Sequence, residues 1–216
     1  MSVKVQNVFG MVMRRVGLEK DGREWLLEMM PKGSICAEIG VCWGQFSRLI
    51  LKMVQPKKLH LIDPWKFQED PLFARSLYGS EQAEGQKGVD ERYQHVVKRY
   101  GGRPNVQIHR ISSIECAQLF PDNYFDWIYI DGDHRYEGVM KDLELYHSKV
   151  KPGGFVAGDD YARKKTNWTN DGVTRAIDDI LAEGKQYEKV VISPESHQFV
   201  LRKPAAVVTA CGASPK

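Results

Sequence analysis

The sequence predicts an α/β fold: a Rossmann-like three-layer sandwich around a mainly parallel, seven-stranded sheet that closes with an antiparallel C-terminal hairpin. Three observations predict it. Short apolar runs alternate with stretches of helical periodicity from residue 34 onward. A glycine-bearing turn, Glu38-Ile-Gly-Val-Cys-Trp-Gly44, joins the first run to the first such stretch. Acids stand at the ends of three runs, at Asp63, Asp131 and Asp159. Strands alternating with helices make a sheet covered on both faces, and such sheets bind ligands at the carboxyl ends of their strands.

The elements follow in order. Residues 1–32 read as one or two helices, with Trp25, Leu26, Met29 and Met30 as an apolar patch and Pro31-Lys32-Gly33 as the stop. Residues 34–39 form a first strand. Residues 45–54 place Phe46, Leu49, Ile50 and Met53 at helical spacing. Residues 58–63 form a second strand, 105–110 a third and 124–131 a fourth. Residues 135–149 form a helix with Tyr136, Val139, Leu143 and Tyr146 on one face. A fifth strand spans 153–159 and a helix 171–183. Residues 189–192 and 198–202 pair as a hairpin around Ser193-Pro194-Glu195. Residues 66–100 interrupt the alternation with a polar stretch carrying Phe67, Phe73, Tyr78, Tyr93 and Tyr100, read either as a lid that selects substrate or as a pair of packing helices.

The chain has 216 residues, enough for one domain over 1–203, with 204–216 as a disordered tail. Hydrophobic residues make up 42% and charged residues 27%, the balance of a globular chain that buries a core without disulfides or a structural metal. A net charge of +3 is too small to argue for nucleic acid, and Arg163, Lys164 and Lys165 read as a solvated loop. Cys36, Cys42, Cys116 and Cys211 show no zinc or C-x-x-C spacing, and Cys36 and Cys116 read as small core fillers. The first residues carry Arg14 and Arg15 and no cleavage site, so neither a signal peptide nor a membrane span is expected. These readings place the protein in the cytoplasm with reduced thiols.

The chemistry-bearing residues gather at the strand ends. The first turn is E-x-G-x-x-x-G rather than the dinucleotide fingerprint G-x-G-x-x-G, and Glu38 suits a ligand with an ammonium group better than a phosphate. Asp63 is placed to accept both hydrogen bonds of a ribose diol, against the plainer reading that Asp63-Pro64 starts a turn. Glu38, Gly40, Gly44 and Asp63 together favour a nucleoside ligand. Asp131, Asp133 and His134 crowd the next strand-to-helix loop, where carboxylates beside an imidazole bind a metal, orient the base or cap the helix; Asp133 has the strongest claim to the cap. Asp159 and Asp160 repel one another unless a cation offsets them, so with Asp131 they form a candidate oxygen-only site for Mg²⁺; the plainer reading is a solvated acidic turn.

From Ile35 to Leu201 these residues resemble the class I S-adenosylmethionine-dependent methyltransferases. The nearest branch is that of the macrocin-type sugar O-methyltransferases, with the catechol and caffeoyl-CoA O-methyltransferases more distant. The stretch YIDGDHRYEGVMKDLELYHSKVKPGGFVAGDDY carries the resemblance most specifically, continued by the helix from Gly172 to Ala176. The resemblance implies that Glu38, Gly40 and Gly44 line the methionine end of the cofactor, that Asp63 holds the ribose, and that Ser112 and Ser113 line the adenine. It implies Asp131 beside the sulfonium and, with Asp159 and Asp160, as metal ligands. His134 falls where the catechol-type enzymes place a lysine.

The function this implies is methyl transfer to a small-molecule acceptor, a hydroxyl, assisted by a divalent metal, with His134 at an ordinary pKa near about 6.5 taking the proton. Metal-independent N- or C-methylation, nicotinamide-dependent oxidation and a non-catalytic binding protein are the rival readings. Neither nucleic acid nor membrane is expected as a partner. The apolar N-terminal residues suit packing on a second subunit or on their own domain.

Overall fold

A computed structural model describes residues 23–74, 76–162, 171–184 and 186–205. The basic cluster at 163–165, the predicted helices before residue 23, Cys211 and the predicted tail from residue 206 on lie outside the described residues.

Seven strands form one sheet in the order β3-β2-β1-β4-β5-β7-β6. They are β1 (Ile35–Ile39), β2 (Lys58–Ile62), β3 (Val106–His109), β4 (Phe125–Ile130), β5 (Val150–Gly158), β6 (Glu188–Ser193) and β7 (Gln198–Arg202). The first five pair in parallel, and β7 runs antiparallel to both β5 and β6. The mainly parallel sheet with its antiparallel hairpin is the architecture the alternation predicts. β1 and β2 are buried along nearly their whole length, as strands covered on both faces must be. β5 begins three residues earlier than the apolar run suggests, because Val150 already pairs with Phe125 before a bulge shifts the register.

Helices cover both faces. On one lie α1 (Glu24–Met29), α2 (Gln45–Met53) and α3 (Gly85–Tyr100), whose Leu26, Leu27, Phe46, Ile50, Val89, Val96 and Tyr100 pack on Cys36, Leu59, Leu61 and Trp127 of the sheet. On the other lie α4 (Ser113–Ala117), α5 (Tyr136–His147) and α6 (Gly172–Ala182), which bury Val139, Leu143, Tyr146, Ala176 and Ile177 against Ile128, Ile130 and Val156. The cysteines read as core fillers, Cys36 and Cys116, are both buried. The 66–100 stretch holds two single 3₁₀ turns, Pro71–Phe73 and Glu81–Ala83, and the long helix α3. Among the described residues of this stretch only one α-helix forms, so the helix-pair reading gives way: Gly79 and Gly85 punctuate its first half too closely for a second.

Candidate active site

The carboxyl ends of β1, β2, β4 and β5 bring Glu38, Asp63, Asp131, Asp159 and Asp160 to one edge, around the point where the strand order reverses between β1 and β4. Main-chain bonds stitch the loops together: Gly40 N donates to Ile62 O at 2.9 Å, and Asp131 N donates to Ile39 O at 2.8 Å. Gly40 has φ +87°, and a Cβ there would lie 2.0 Å from the Asp131 carbonyl oxygen. At Gly44, φ +71°, a Cβ would meet the Tyr100 ring at 2.7 Å, while the Tyr100 hydroxyl donates to Gly44 O at 2.6 Å. Both turn glycines are thus demanded by conformation and by close packing.

Glu38 is buried, and its carboxylate accepts from Ser47 Oγ at 2.5 Å. Burial pushes its carboxyl up to about 8, against the pull of the Ser47 hydrogen bond and of Arg23. Asp63 is also buried. One oxygen accepts from the amides of Val41 (2.9 Å) and Cys42 (3.0 Å) and from the Tyr78 hydroxyl (2.5 Å); the other accepts from the Trp65 amide at 2.7 Å. The acid predicted to hold a diol therefore already holds one hydroxyl, from inside the 66–100 stretch. Burial raises its carboxyl and these bonds lower it. Beside it, Pro64, Trp65, Lys66, Gln86, Asp90 and Arg110 line a cavity of 380 Å³.

The acids of β4 and β5 face cations. Arg23 Nη1 lies 3.2 Å from Asp131 Oδ2, and Nη2 bonds Asp159 Oδ2. The guanidinium sits 5.4 Å from the Phe46 ring centre and 5.9 Å from that of Tyr129. Asp159 Oδ1 accepts from the Gln198 side-chain amide, whose own oxygen accepts from the Tyr129 hydroxyl at 2.8 Å. His134 bridges the remaining acids, with Nε2 3.2 Å from Asp131 Oδ1 and Nδ1 2.6 Å from Asp160 Oδ2.

This arrangement bears on two expectations. Among the described residues no group of three His, Cys, Asp or Glu side chains is placed to hold a metal ion. Asp131, Asp159 and Asp160, expected as a Mg²⁺ triad, are instead matched to Arg23 and His134, so this donor set as arranged does not fit a divalent ion. His134, expected as a base of ordinary pKa, is lifted to about 10: burial alone would lower it, but its hydrogen bonds to Asp131 and Asp160 prevail.

Ser112 and Ser113 stand at the start of α4, a short helix the sequence reading does not foresee. The Ser112 hydroxyl accepts from Glu115 N at 3.2 Å, and the Glu115 carboxylate accepts from Ser112 N at 3.1 Å, a reciprocal cap. Ser113 bonds the buried Asp142, whose carboxyl burial raises to about 6. Asp133 does not cap α5; the residue preceding that helix is Arg135, whose amide and guanidinium both bond the Asp133 carboxylate. Reasoning from sequence misses Arg23, Ser47 and Gln198. Tyr78 is flagged only as one aromatic of the interrupting stretch, and Arg23 carries no local signal, being paired across 136 residues.

Residues 37–161 match a family described as a methyltransferase domain. Over 63 residues the chain is 43% identical to Uncharacterized protein R132 of Acanthamoeba polyphaga mimivirus, a match covering 26% of this chain and 28% of that relative. Solved structures of similar fold include a SAM-dependent methyltransferase from Aquifex aeolicus (20% identity, 85% of this chain and 88% of that one, TM-score 0.54). The O-methyltransferase from Bacillus cereus in complex with SAH is similar at 15% identity over 87% and 81% of the two chains, TM-score 0.52. The N-methyltransferase NodS from Bradyrhizobium japonicum is similar at 14% identity over 86% and 95%, TM-score 0.54. At these identities the structural likeness is one of fold.

Proposed function

The chain belongs to the methyltransferase-domain family, and from that premise we propose that it transfers the methyl group of S-adenosylmethionine to a small-molecule acceptor, with a hydroxyl oxygen as the receiving atom. The observation that carries this reading is Asp63: a buried carboxylate beside the β1–β4 switch point, fixed by three backbone amides, that accepts a hydroxyl hydrogen bond. A ribose hydroxyl takes the place of the Tyr78 phenol there. Glu38 and the Gly40–Gly44 turn face the methionine end, and the 380 Å³ cavity between Trp65 and Arg110 takes the base. The named cofactors of the Aquifex aeolicus and Bacillus cereus structures support the same ligand.

The bound cofactor supplies an electrophilic methyl group on sulfur. The protein's part is to hold the acceptor in line with it, and such positioning is worth several kcal/mol of barrier. A neutral hydroxyl must lose its proton as it attacks. The carboxylates at the ends of β4 and β5 stand where they can receive it, and burial together with its neighbour Asp131 raises the carboxyl of Asp159. His134, bonded to both, orients Asp131 and Asp160. No step runs through a metal. Arg23 in the acidic corner favours the metal-independent form of the reading, in which an amine acceptor is the alternative to a hydroxyl.

Titration calorimetry tests the cofactor: S-adenosylmethionine and S-adenosylhomocysteine release heat and raise the melting temperature, and NAD does neither. Release of S-adenosylhomocysteine is then followed across hydroxyl and amine acceptors. No heat and no melting shift with S-adenosylmethionine would end the proposal.

A further inference from the structure

The acidic corner carries its own cation. Arg23 immediately precedes α1, and that helix is anchored on the sheet by the buried Leu26 and Leu27. Two residues on, Trp25 donates from Nε1 to Ser196 Oγ at 3.3 Å, in the turn between β6 and β7. The guanidinium is therefore delivered by a docked segment. Its two ends meet two different acids, Asp131 and Asp159, and its carbon lies within 6 Å of the Phe46 and Tyr129 ring centres. A planar, delocalised cation fits such a slot between carboxylates and aromatic rings better than a compact one.

The surrounding acids are arranged for this partner. Asp159 gives one oxygen to Arg23 and the other to Gln198. Asp160, at φ +65°, turns its carboxylate to His134 rather than toward Asp159's partner. Mg²⁺ requires near-octahedral oxygens at about 2.0–2.1 Å. The space between Asp131 and Asp159 is spanned by the guanidinium instead, and carboxylates held this close need an intervening positive charge to stay ionised together.

We propose that Arg23 is the resident cation of this corner, taking the place a divalent metal ion would need and holding Asp131 and Asp159 in position without one. It is a positioning residue. Its effect on turnover rests on the proposed methyl transfer; its effect on ion binding does not.

The test uses the full chain, with Mn²⁺ uptake read by electron paramagnetic resonance and Mg²⁺ uptake by calorimetry. The wild-type protein takes up no Mn²⁺ below about 1 mM. Arg23→Met removes the charge while keeping the stem and takes up one Mn²⁺ at least roughly tenfold more tightly than wild type. Arg23→Gln repeats the measurement with a polar side chain, and Arg23→Lys, which restores the charge, stays near wild type. Melting curves report whether each variant is folded. In turnover, wild type is unchanged by excess EDTA, whereas Arg23→Met slows and recovers in part with Mg²⁺. One Mn²⁺ bound by wild type as tightly as by Arg23→Met overturns the proposal, and so does a folded Arg23→Met and Arg23→Gln pair that bind none. Failure of S-adenosylmethionine to bind would remove the methyl-transfer reading and leave the Mn²⁺ result standing.

Discussion

Asp63 and Asp159 are the same residue type at the same kind of place, one residue past a parallel strand on the same sheet edge, and the protein treats them oppositely. Asp63 is surrounded by neutral donors: three amides and a phenol. Asp159 faces a guanidinium and an amide, with a second acid on either side. A carboxylate at a strand end does not announce its ligand. The groups opposite it do, and here they separate a half of the edge suited to hydroxyls from a half suited to positive charge.

The sharpest way to break this contrast is to neutralise each acid in turn. Asp159→Asn is expected to slow methyl transfer by roughly 100-fold while leaving S-adenosylhomocysteine affinity within about threefold. Asp63→Asn is expected to do the reverse, weakening that affinity at least about tenfold in calorimetry, since a site built to accept hydroxyl hydrogens is left with fewer lone pairs. Equal losses from both variants would mean the two halves are not distinct. Tyr78→Phe removes the internal competitor at Asp63, so cofactor affinity rises by about twofold to fivefold, the worth of one net hydrogen bond.

Beyond Asp63 and Asp159, pH slopes of stability set apart two buried groups, and they have opposite signs. Glu38, raised to about 8, binds its proton more tightly folded than unfolded, so stability falls as pH rises from about 4.5 toward 8. His60 lies buried, with Nδ1 3.0 Å from His109 Nε2 and Nε2 3.2 Å from Tyr124 OH, and burial lowers it to about 3. The unfolded chain takes that proton first, so stability drops as pH falls below 6.5. Urea melts across this range check both: Glu38→Gln flattens the alkaline limb and leaves the acidic one.

The strands were legible because a parallel sheet buried on both faces writes itself as apolar runs, and the strand-end acids stand out against them. The turn glycines were legible for a related reason, since the backbone there tolerates little else. What escaped was decided by partners distant in sequence. Nothing near Arg23 says that it meets Asp131 and Asp159, and nothing in Asp159-Asp160 says that the two side chains diverge. The resemblance carries over residues and not their neighbours, so the pairing of Asp131 and Asp159 with Arg23 lay beyond its reach. Ser112, read as an adenine-lining residue, also heads the helix α4; the Ser-x-x-Glu pattern that shows this was present and went unused.

Gly40 closes the gap between the two halves of the edge. With the Asp131 carbonyl 2.0 Å from where a methyl group would stand, the β1 turn and the β4 loop touch main chain to main chain. The spacing between the hydroxyl-binding acid and the charge-binding acids is therefore a backbone dimension. Side chains on either rim are free to drift toward new acceptors, while the span of the cofactor they serve stays locked by the absence of a single carbon atom.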